Sequence, residues 1–463
     1  MCEVMNSDSQ EHVDLWKAPF VKDNLDALVE IPGSKSLSNR YLILAALGSK
    51  PVVLKGLLRS RDTELMMSAL KIFGVRFEEM ESYTSVLVIP PHGNTFDIAD
   101  GAVVNCGLAG TVMRFVTALS LFANKPIRFD GDKQAYARPM KPVLDGLGQL
   151  GAHVKYHGEV GFLPFSIIPP KNFGSYEIND QQTTHQNHVV RIDSSSSSQF
   201  ISALLLIASR VPGGLQIEHI GSKLPSMPHI QMTMEDVRKA GGVVDMPESG
   251  VWRVKEHDLT LPHEVVVEPD LSNAAPFIGA ALIAGGCVKI PNWPLKTTQP
   301  GGLLPGILEQ MGAKIVFEHS SADSSTLCVT GSGKIHAIKS LDLAAAGEVA
   351  PSIAAILAFA DGVSELRGIA HLRGHETNRL SAIVTELKRV GIGADELEDG
   401  IRIIPSKNMH GEVMETYADH RMATFASMLG LRISNISVKN IATTRKTLPD
   451  FPTMWNNMLK ECA

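Results

Sequence analysis

Cysteine is scarce in this chain: Cys2, Cys106, Cys287, Cys328 and Cys462 among 463 residues, odd in number, widely spaced and without a C-x-x-C pair. That argues against a disulfide framework or a structural zinc site, and it suits a reducing compartment with free thiols. Long apolar runs are lacking too. FISALLLIA (200–208) and SIAAILAFA (352–360) are the longest, far short of the ~20 residues a bilayer span requires. The opening MCEVMNSDSQEHVDLW is polar and acidic, without the basic and apolar regions of a secretory signal. A large charge of either sign is also missing. The formal net charge of −6 argues against a nucleic-acid coat or an anionic membrane surface as partner. These absences lead us to expect a cytoplasmic protein, with any basic site concentrated against a mildly acidic background.

The chain is too long for one ordinary core, so two or three domains are expected. One plan recurs six times along it. A short polar opening leads into a helix of small and apolar residues: PGSKSLSNR at 32, GLAGTVMR at 107, SSSSSQF at 194, PDLSNAAPF at 269, GEVAPSIAA at 347 and YADHRMATF at 417. A Gly- or Pro-bearing turn and a β-branched strand follow, as in KPIRFDG, GLQIEHI and ISVKNIA. A second helix comes next. RSRDTELMMSALKIFG places Leu65, Met66, Ala69, Leu70 and Phe73 at helical spacing and stops at Gly74. Four more copies stop at Gly, and the sixth is shortened to RKTLPDFPTMWNNML. The spacing of about 70–90 residues exceeds a solenoid repeat. The chain therefore reads as α/β, with six helix–strand–helix–strand units. The amide-rich segment near 173–190 and SSADSST near 320–326 break the pattern and read as a surface insertion and an exposed turn.

The openings carry the chemistry. Lys35 and Arg40 stand where a helix begins and oppose its macrodipole. That conflict is resolved if the helix end holds an anion; the alternative is a solvated turn with hydroxyl caps. Ser194–Ser198 could be a linker, but it runs directly into Gln199-Phe200 and an apolar helix, which suits a cap or ligand loop better. Gly107, Gly110, Thr111 and Arg114 form one group; Arg138 precedes Pro139; Arg373, His375, Glu376 and Arg379 lie within two turns. Asp419, His420 and Arg421, then Arg445 and Lys446, complete the series. Any single Arg is usually a surface salt bridge. Their repetition in an acidic chain points to one basic cleft suited to small polyanions. His371 and His375 could share a helix face, but Arg373 between them and a single nearby carboxylate, Glu376, argue against a metal site. Glu348 reads as a helix-dipole residue or as a partly desolvated carboxylate tuned for proton transfer.

Taken in order from about Ala27 to Trp455, PGSKSLSNR, LAGTVMR, ARP, SSQF, HETNRL, DHRMA and KTLPDF resemble the 5-enolpyruvylshikimate-3-phosphate synthase family, and RGHETNR its actinobacterial-type branch. The resemblance implies a two-domain inside-out α/β barrel, each domain three βαβαββ units with pseudo-threefold symmetry. Residues 34–267 would form one domain and 13–33 plus 268–463 the other, with crossings near Pro32 and Glu268 and a substrate cleft between. It implies transfer of the enolpyruvyl group of phosphoenolpyruvate to the 5-hydroxyl of shikimate 3-phosphate, on the way to chorismate and the aromatic amino acids. The reaction would pass through a tetrahedral ketal without metal or organic cofactor, in a monomer that glyphosate inhibits.

The resemblance also implies roles. Lys35 would touch both substrates and move a proton at the methylene, Glu348 would accept the hydroxyl proton, and His420 would complete the acid–base set. Ser36, Arg40, Ser197, Ser198, Gln199, Ser226 and His375 would hold shikimate 3-phosphate; Gly110, Arg138, Arg379, Arg421 and Lys446 would hold phosphoenolpyruvate, with Gln199 at the boundary. Glu348, His375, Asn378, His229 and Leu108 stand where many members carry Asp, Lys, Asp, Tyr and Asn. The sister UDP-N-acetylglucosamine enolpyruvyl transferases carry a Cys before ARP. GDKQAYARP has Lys133 and no Cys, which disfavours them. A non-catalytic anion-binding module or an RNA-binding relative is disfavoured by the acidic balance and by Lys35, Glu348 and His420.

Overall fold

Five four-stranded sheets and one three-stranded sheet make up the computed structural model of the chain, which describes residues 14–171, 173, 188–224, 226–319 and 324–460. The segment expected as an insertion near 173–190 and the turn near 320–326 fall mostly outside the described residues, as do Cys2 and Cys462. Cys106, Cys287 and Cys328 are free thiols. No helix among the described residues is long and apolar enough to cross a membrane.

Every four-stranded sheet follows one order, first–second–fourth–third, its first pair parallel and the rest antiparallel. The second sheet is typical: Val103–Asn105, Ile127–Asp130, Phe165–Ile168 and His153–Tyr156. The repeated unit is thus βαβαββ. The helix–strand–helix–strand plan read from the sequence lacks the opening strand and one strand of the closing hairpin. The opening strands are only two to five residues long, too short to carry a pattern of alternation. The sixth sheet is the shortened copy. Val413–Met414 runs parallel to Ser437–Lys439, and Leu15–Lys17 closes it from the chain's beginning.

The helices lie inside and the sheets outside. All fourteen residues of the helix Leu271–Ala284 are buried, as are nine of ten in Gln199–Ala208. A helix apolar on every side must be surrounded. The strands alternate instead, buried and exposed in Leu25–Leu28, so each sheet covers the helices with one face and meets water with the other. The second helices of five units end at Gly74, Gly151, Gly241, Gly312 and Gly391, all with φ between +82° and +97°. That left-handed turn favours glycine and releases the chain into the hairpin, so the stops seen in the sequence have a backbone cause.

Apolar residues gather into two cores, one drawn from Leu37 to Val267, the other from Ala18 to Val29 together with Leu271 to Met458. Two strands are exchanged between them. Glu264–Val266 opens the first unit's sheet beside Val52–Lys55, and Leu25–Leu28 opens the fourth beside Gly286–Pro294. The two crossing segments run side by side: Ser34 N–H donates to Glu268 O at 2.7 Å and Asp270 N–H to Pro32 O at 2.8 Å. Gly33 sits at this crossing, where a Cβ would stand 1.9 Å from Gly56 O and 3.3 Å from Val267 Cγ1. Gly33→Ala should therefore lower stability by about 1–3 kcal/mol in denaturant unfolding. Gly148→Ala, in a helix with nothing within 4 Å of the added Cβ, should raise it by up to about 1 kcal/mol. Equal effects of the two changes would contradict the crowding at the crossing.

Candidate active site

The helix Lys35–Leu47 begins with its cation in place. Ser34 caps it by accepting Leu37 N–H at 3.4 Å, and no acidic residue follows in its first turn. Lys35 Nζ instead faces Asp62 at 3.5 Å, while its backbone N–H points to Asp270 Oδ2 at 3.3 Å. One turn on, Arg40 is almost completely buried. It donates to Thr233 Oγ1 at 2.8 Å, Ser36 O at 2.9 Å and His229 O at 3.1 Å, tying the first helix to the helix Met227–Lys239. Burial lowers its guanidinium to about 10 despite the pull of Asp236 and Glu348. Arg40 therefore braces the wall that carries Ser36 and His229.

Gly110 opens a helix that widens at Val112–Val116. Arg114 turns back to donate to Pro139 O at 2.8 Å, and Arg138 donates to Leu108 O at 2.8 Å. Neither guanidinium has a carboxylate at salt-bridge distance among the described residues. Burial lowers the pKa of both; Arg138 adds to this at Arg114, while at Arg138 the upward pull of Glu376 and Asp62 only partly offsets burial and the nearby Arg379. A Cβ on Gly110 would stand 2.9 Å from Arg138 Nη2 and from Gln199 Oε1. That Gln199 oxygen is buried without a hydrogen-bond partner. The serine loop closes this side: Ser194 Oγ donates to Ser197 O at 2.5 Å, and Ser197 Oγ accepts Gln199 N–H at 3.3 Å. Ser226 caps the helix Met227–Lys239 in a left-handed conformation, φ +54°.

The second core supplies the opposite wall. Glu348 lies in a single tight turn, Gly347–Val349, and meets His229 Nε2 at 3.2 Å and Arg421 Nη2 at 3.8 Å. Burial pushes its carboxyl up, but His229, Arg421 and His375 outweigh that and hold it well below the usual carboxylate range. Glu348 is therefore held as an anion by the cations around it. Glu376 receives Lys446 on one oxygen and approaches His420 Nδ1 at 3.1 Å on the other. Arg379 binds Asp419 at 2.8 and 3.2 Å, and Arg421 donates to Ser272 O and Asn273 Oδ1. Glu376, Asp419 and His420 lie close enough to hold a cation. Lys446 and Arg379 already answer both carboxylates.

All fifteen residues proposed from the sequence line one cleft between the two cores, from Lys35, Ser36 and Arg40 to Lys446. Seven cations and four carboxylates share it, an excess of positive charge in a chain of net charge −6. Arg373 turns outward to Glu396 and Leu397 O, and Arg445 is exposed, so for these two the surface reading holds. His371 and His375 lie in and just after one tight turn, Ala370–Gly374, with ring centroids 5.8 Å apart. Asp62 and Asp270 were not singled out. Both sit where an acid serves a helix start, Asp270 as an N-cap accepting Asn273 N–H at 3.0 Å, and that ordinary role conceals them. Glu376 stood in a motif noted in the sequence but received no role.

Burial pushes the His371, His375 and His420 imidazoles below their usual range, His375 to about 3 with Arg379 beside it. The unfolded chain takes up these protons near pH 6.5 and the folded chain does not, so each lowers stability as pH falls through about 6.5. Asp236, pushed up to about 7 by burial, acts in the opposite sense. The test is therefore a difference between two proteins. His375→Asn should gain up to about 2 kcal/mol on the parent between pH 7.5 and pH 5, less as solvent reaches the ring. Calorimetry at the two pH values checks this, and a constant difference would contradict it.

Comparison with known proteins bears on the whole chain. Residues 21–455 match the family model of EPSP synthase (3-phosphoshikimate 1-carboxyvinyltransferase). The chain is 60% identical over 453 residues to a 3-phosphoshikimate 1-carboxyvinyltransferase of Bifidobacterium longum, covering 97% of this chain and 99% of that protein. It is 44% identical over 459 residues to one of Kocuria rhizophila, covering 98% of each. Among solved structures, an EPSP synthase from Acinetobacter baumannii is similar with a TM-score of 0.77 at 24% identity, covering 96% of this chain and 98% of that one. The enolpyruvyl transferase NikO from Streptomyces tendae follows with a TM-score of 0.68 at 15% identity, covering 94% and 95%. At these identities the structural likenesses speak for the fold.

Proposed function

This chain belongs to the EPSP synthase family, and on that premise we propose how its cleft divides the work of the reaction among its residues. The reaction transfers the enolpyruvyl group of phosphoenolpyruvate to the 5-hydroxyl of shikimate 3-phosphate. The hydroxyl oxygen bonds to C2 of phosphoenolpyruvate while C3 gains a proton; the C2–O bond to phosphate then breaks and C3 loses a proton.

The single observation that carries the proposal is the guanidinium pair around Gly110, Arg114 buried and Arg138 half-buried, neither with a carboxylate at salt-bridge distance among the described residues. Cations withdrawn from water in this way favour an incoming dianion. Gly110 and Arg138 hold the phosphate of phosphoenolpyruvate in this reading, Arg379, Arg421 and Lys446 complete its seat, and Gln199 lies between the substrates. Ser36, Arg40, Ser197, Ser198, Ser226 and His375 serve shikimate 3-phosphate. The bracing geometry of Arg40 supports a part for it in holding Ser36 in place.

Lys35, between Asp62 and the crossing, is positioned for proton transfer at C3. Glu348 accepts the hydroxyl proton once substrate displaces its ion pairs, because a carboxylate held so low is a weak base until those cations are drawn away. Glu376 joins the acid–base set with Lys446 and His420, since one carboxylate bonds both. The chemistry as proposed uses no metal or organic cofactor. We read residues 34–267 and 13–33 plus 268–463 as two domains that close about the paired crossing, in a cytoplasmic monomer. The separate cores and the Pro32 and Glu268 bonds support that division.

Phosphate release should require both shikimate 3-phosphate and phosphoenolpyruvate, and equal release with a UDP-sugar acceptor would contradict the assignment. Lys35→Met should cost at least ~100-fold in turnover with the fold intact. Gly110→Ala should raise KM for phosphoenolpyruvate by about tenfold, ~1.4 kcal/mol, and weaken glyphosate inhibition. An unchanged KM would show that the crowded Gly110 loop does not hold that substrate.

A further inference from the structure

The turn that delivers His420 and Arg421 to the cleft is strained twice in succession. Tyr417 has φ +53° and Ala418 φ +54°, and neither is glycine. Each such residue costs about 1–2 kcal/mol and persists only where its surroundings hold it. Asp419 follows directly. It caps the helix His420–Gly430 by accepting Arg421 N–H at 2.8 Å, so the direction of that helix start depends on the turn.

One neighbouring helix, Arg379–Arg389, grips the turn from both sides. At its start, Arg379 binds Asp419 through two hydrogen bonds of 2.8 and 3.2 Å. Seven residues later, two turns along the same face, stands Glu386. Its side chain is fully buried and its carboxylate accepts the Tyr417 hydroxyl at 2.8 Å and Glu415 N–H at 3.1 Å, with Arg389 Nε at 3.2 Å. Glu386 lies outside the cleft, and nothing in the reaction calls for it. Packed apolar neighbours could fill its space at lower cost, since a buried carboxylate must be matched donor for donor.

We infer that Glu386 is a positioning residue for the phosphoenolpyruvate end of the cleft, holding the Tyr417–Ala418 turn in its left-handed form so that His420 and Arg421 face the substrate. The carboxylate fixes the near side of the turn and Arg379 the far side, with one rigid helix setting the distance between the two grips. Burial raises the Glu386 carboxyl pKa, while Tyr417, Glu415 N–H and Arg389 oppose that rise, in keeping with a group whose donors are built around it. The inference rests on the proposed placement of Arg379 and Arg421 at phosphoenolpyruvate.

Steady-state kinetics of the full chain test it. Glu386→Gln keeps the volume and turns one accepting oxygen into a donor, and Tyr417→Phe removes only a hydroxyl on a partly exposed ring. Both should raise KM for phosphoenolpyruvate or lower kcat, by about tenfold in kcat/KM, with KM for shikimate 3-phosphate changed less than about twofold. Glu386→Ala should cost about 100-fold if it folds. A lower Tm with kcat and both KM values unchanged in Glu386→Gln and Tyr417→Phe would overturn the inference, leaving Glu386 a merely structural residue. Arg421→Lys serves as reference. If it raises KM for phosphoenolpyruvate while the Glu386 and Tyr417 variants do not, only the positioning role falls. If it too leaves KM unchanged, the seat is misassigned and both readings fall.

Discussion

Positive charge that the protein does not neutralise itself is the constraint on which this molecule turns. Arg114 is buried and Arg138 half-buried, without a carboxylate at salt-bridge distance among the described residues, while Arg379, Arg421 and Lys446 face them paired with Asp419, Glu348 and Glu376. Such an arrangement is costly, and an anion in the cleft would offset the cost. The paired crossing at Gly33 and Pro269 keeps both halves in register while the chain passes between them.

The fold serves that constraint through its inverted layering. With helices as the core, the helix starts at Lys35, Gln199, Leu271 and His420 turn toward one cleft, and their amide ends add partial positive charge there. The first-turn cation that conflicts with its own helix dipole becomes intelligible at Lys35. An anion at the helix start, as proposed, would resolve that conflict.

Much of this was legible in the sequence, and the failures have specific causes. The six polar openings, the glycine stops and the ordered motifs identified the unit, the family and the cleft residues, because each depends on local chemistry with a fixed address in the chain. The short opening strands were not legible, since strands such as Leu341–Asp342 are set by their neighbours rather than by their own pattern. Asp62 and Asp270 were concealed by ordinary helix-start roles. The direction of an arginine was also beyond reach. Arg373 and Arg379 occur six residues apart in one motif, yet one meets Glu396 on the surface and the other Asp419 in the cleft wall. Glu348 shows the same limit, as its low-lying carboxyl depends on His229 from a distant unit.

We propose that the guanidiniums around Gly110, which bond backbone carbonyls and no carboxylate among the described residues, are the seat of phosphoenolpyruvate, separate from the wall that holds the acceptor. Isothermal titration of the two substrates into the parent chain and into Arg138→Gln addresses this most directly. Arg138→Gln should lose phosphoenolpyruvate binding in the presence of saturating shikimate 3-phosphate while its affinity for shikimate 3-phosphate stays that of the parent. Undiminished phosphoenolpyruvate binding, or equal loss of both ligands, would contradict it.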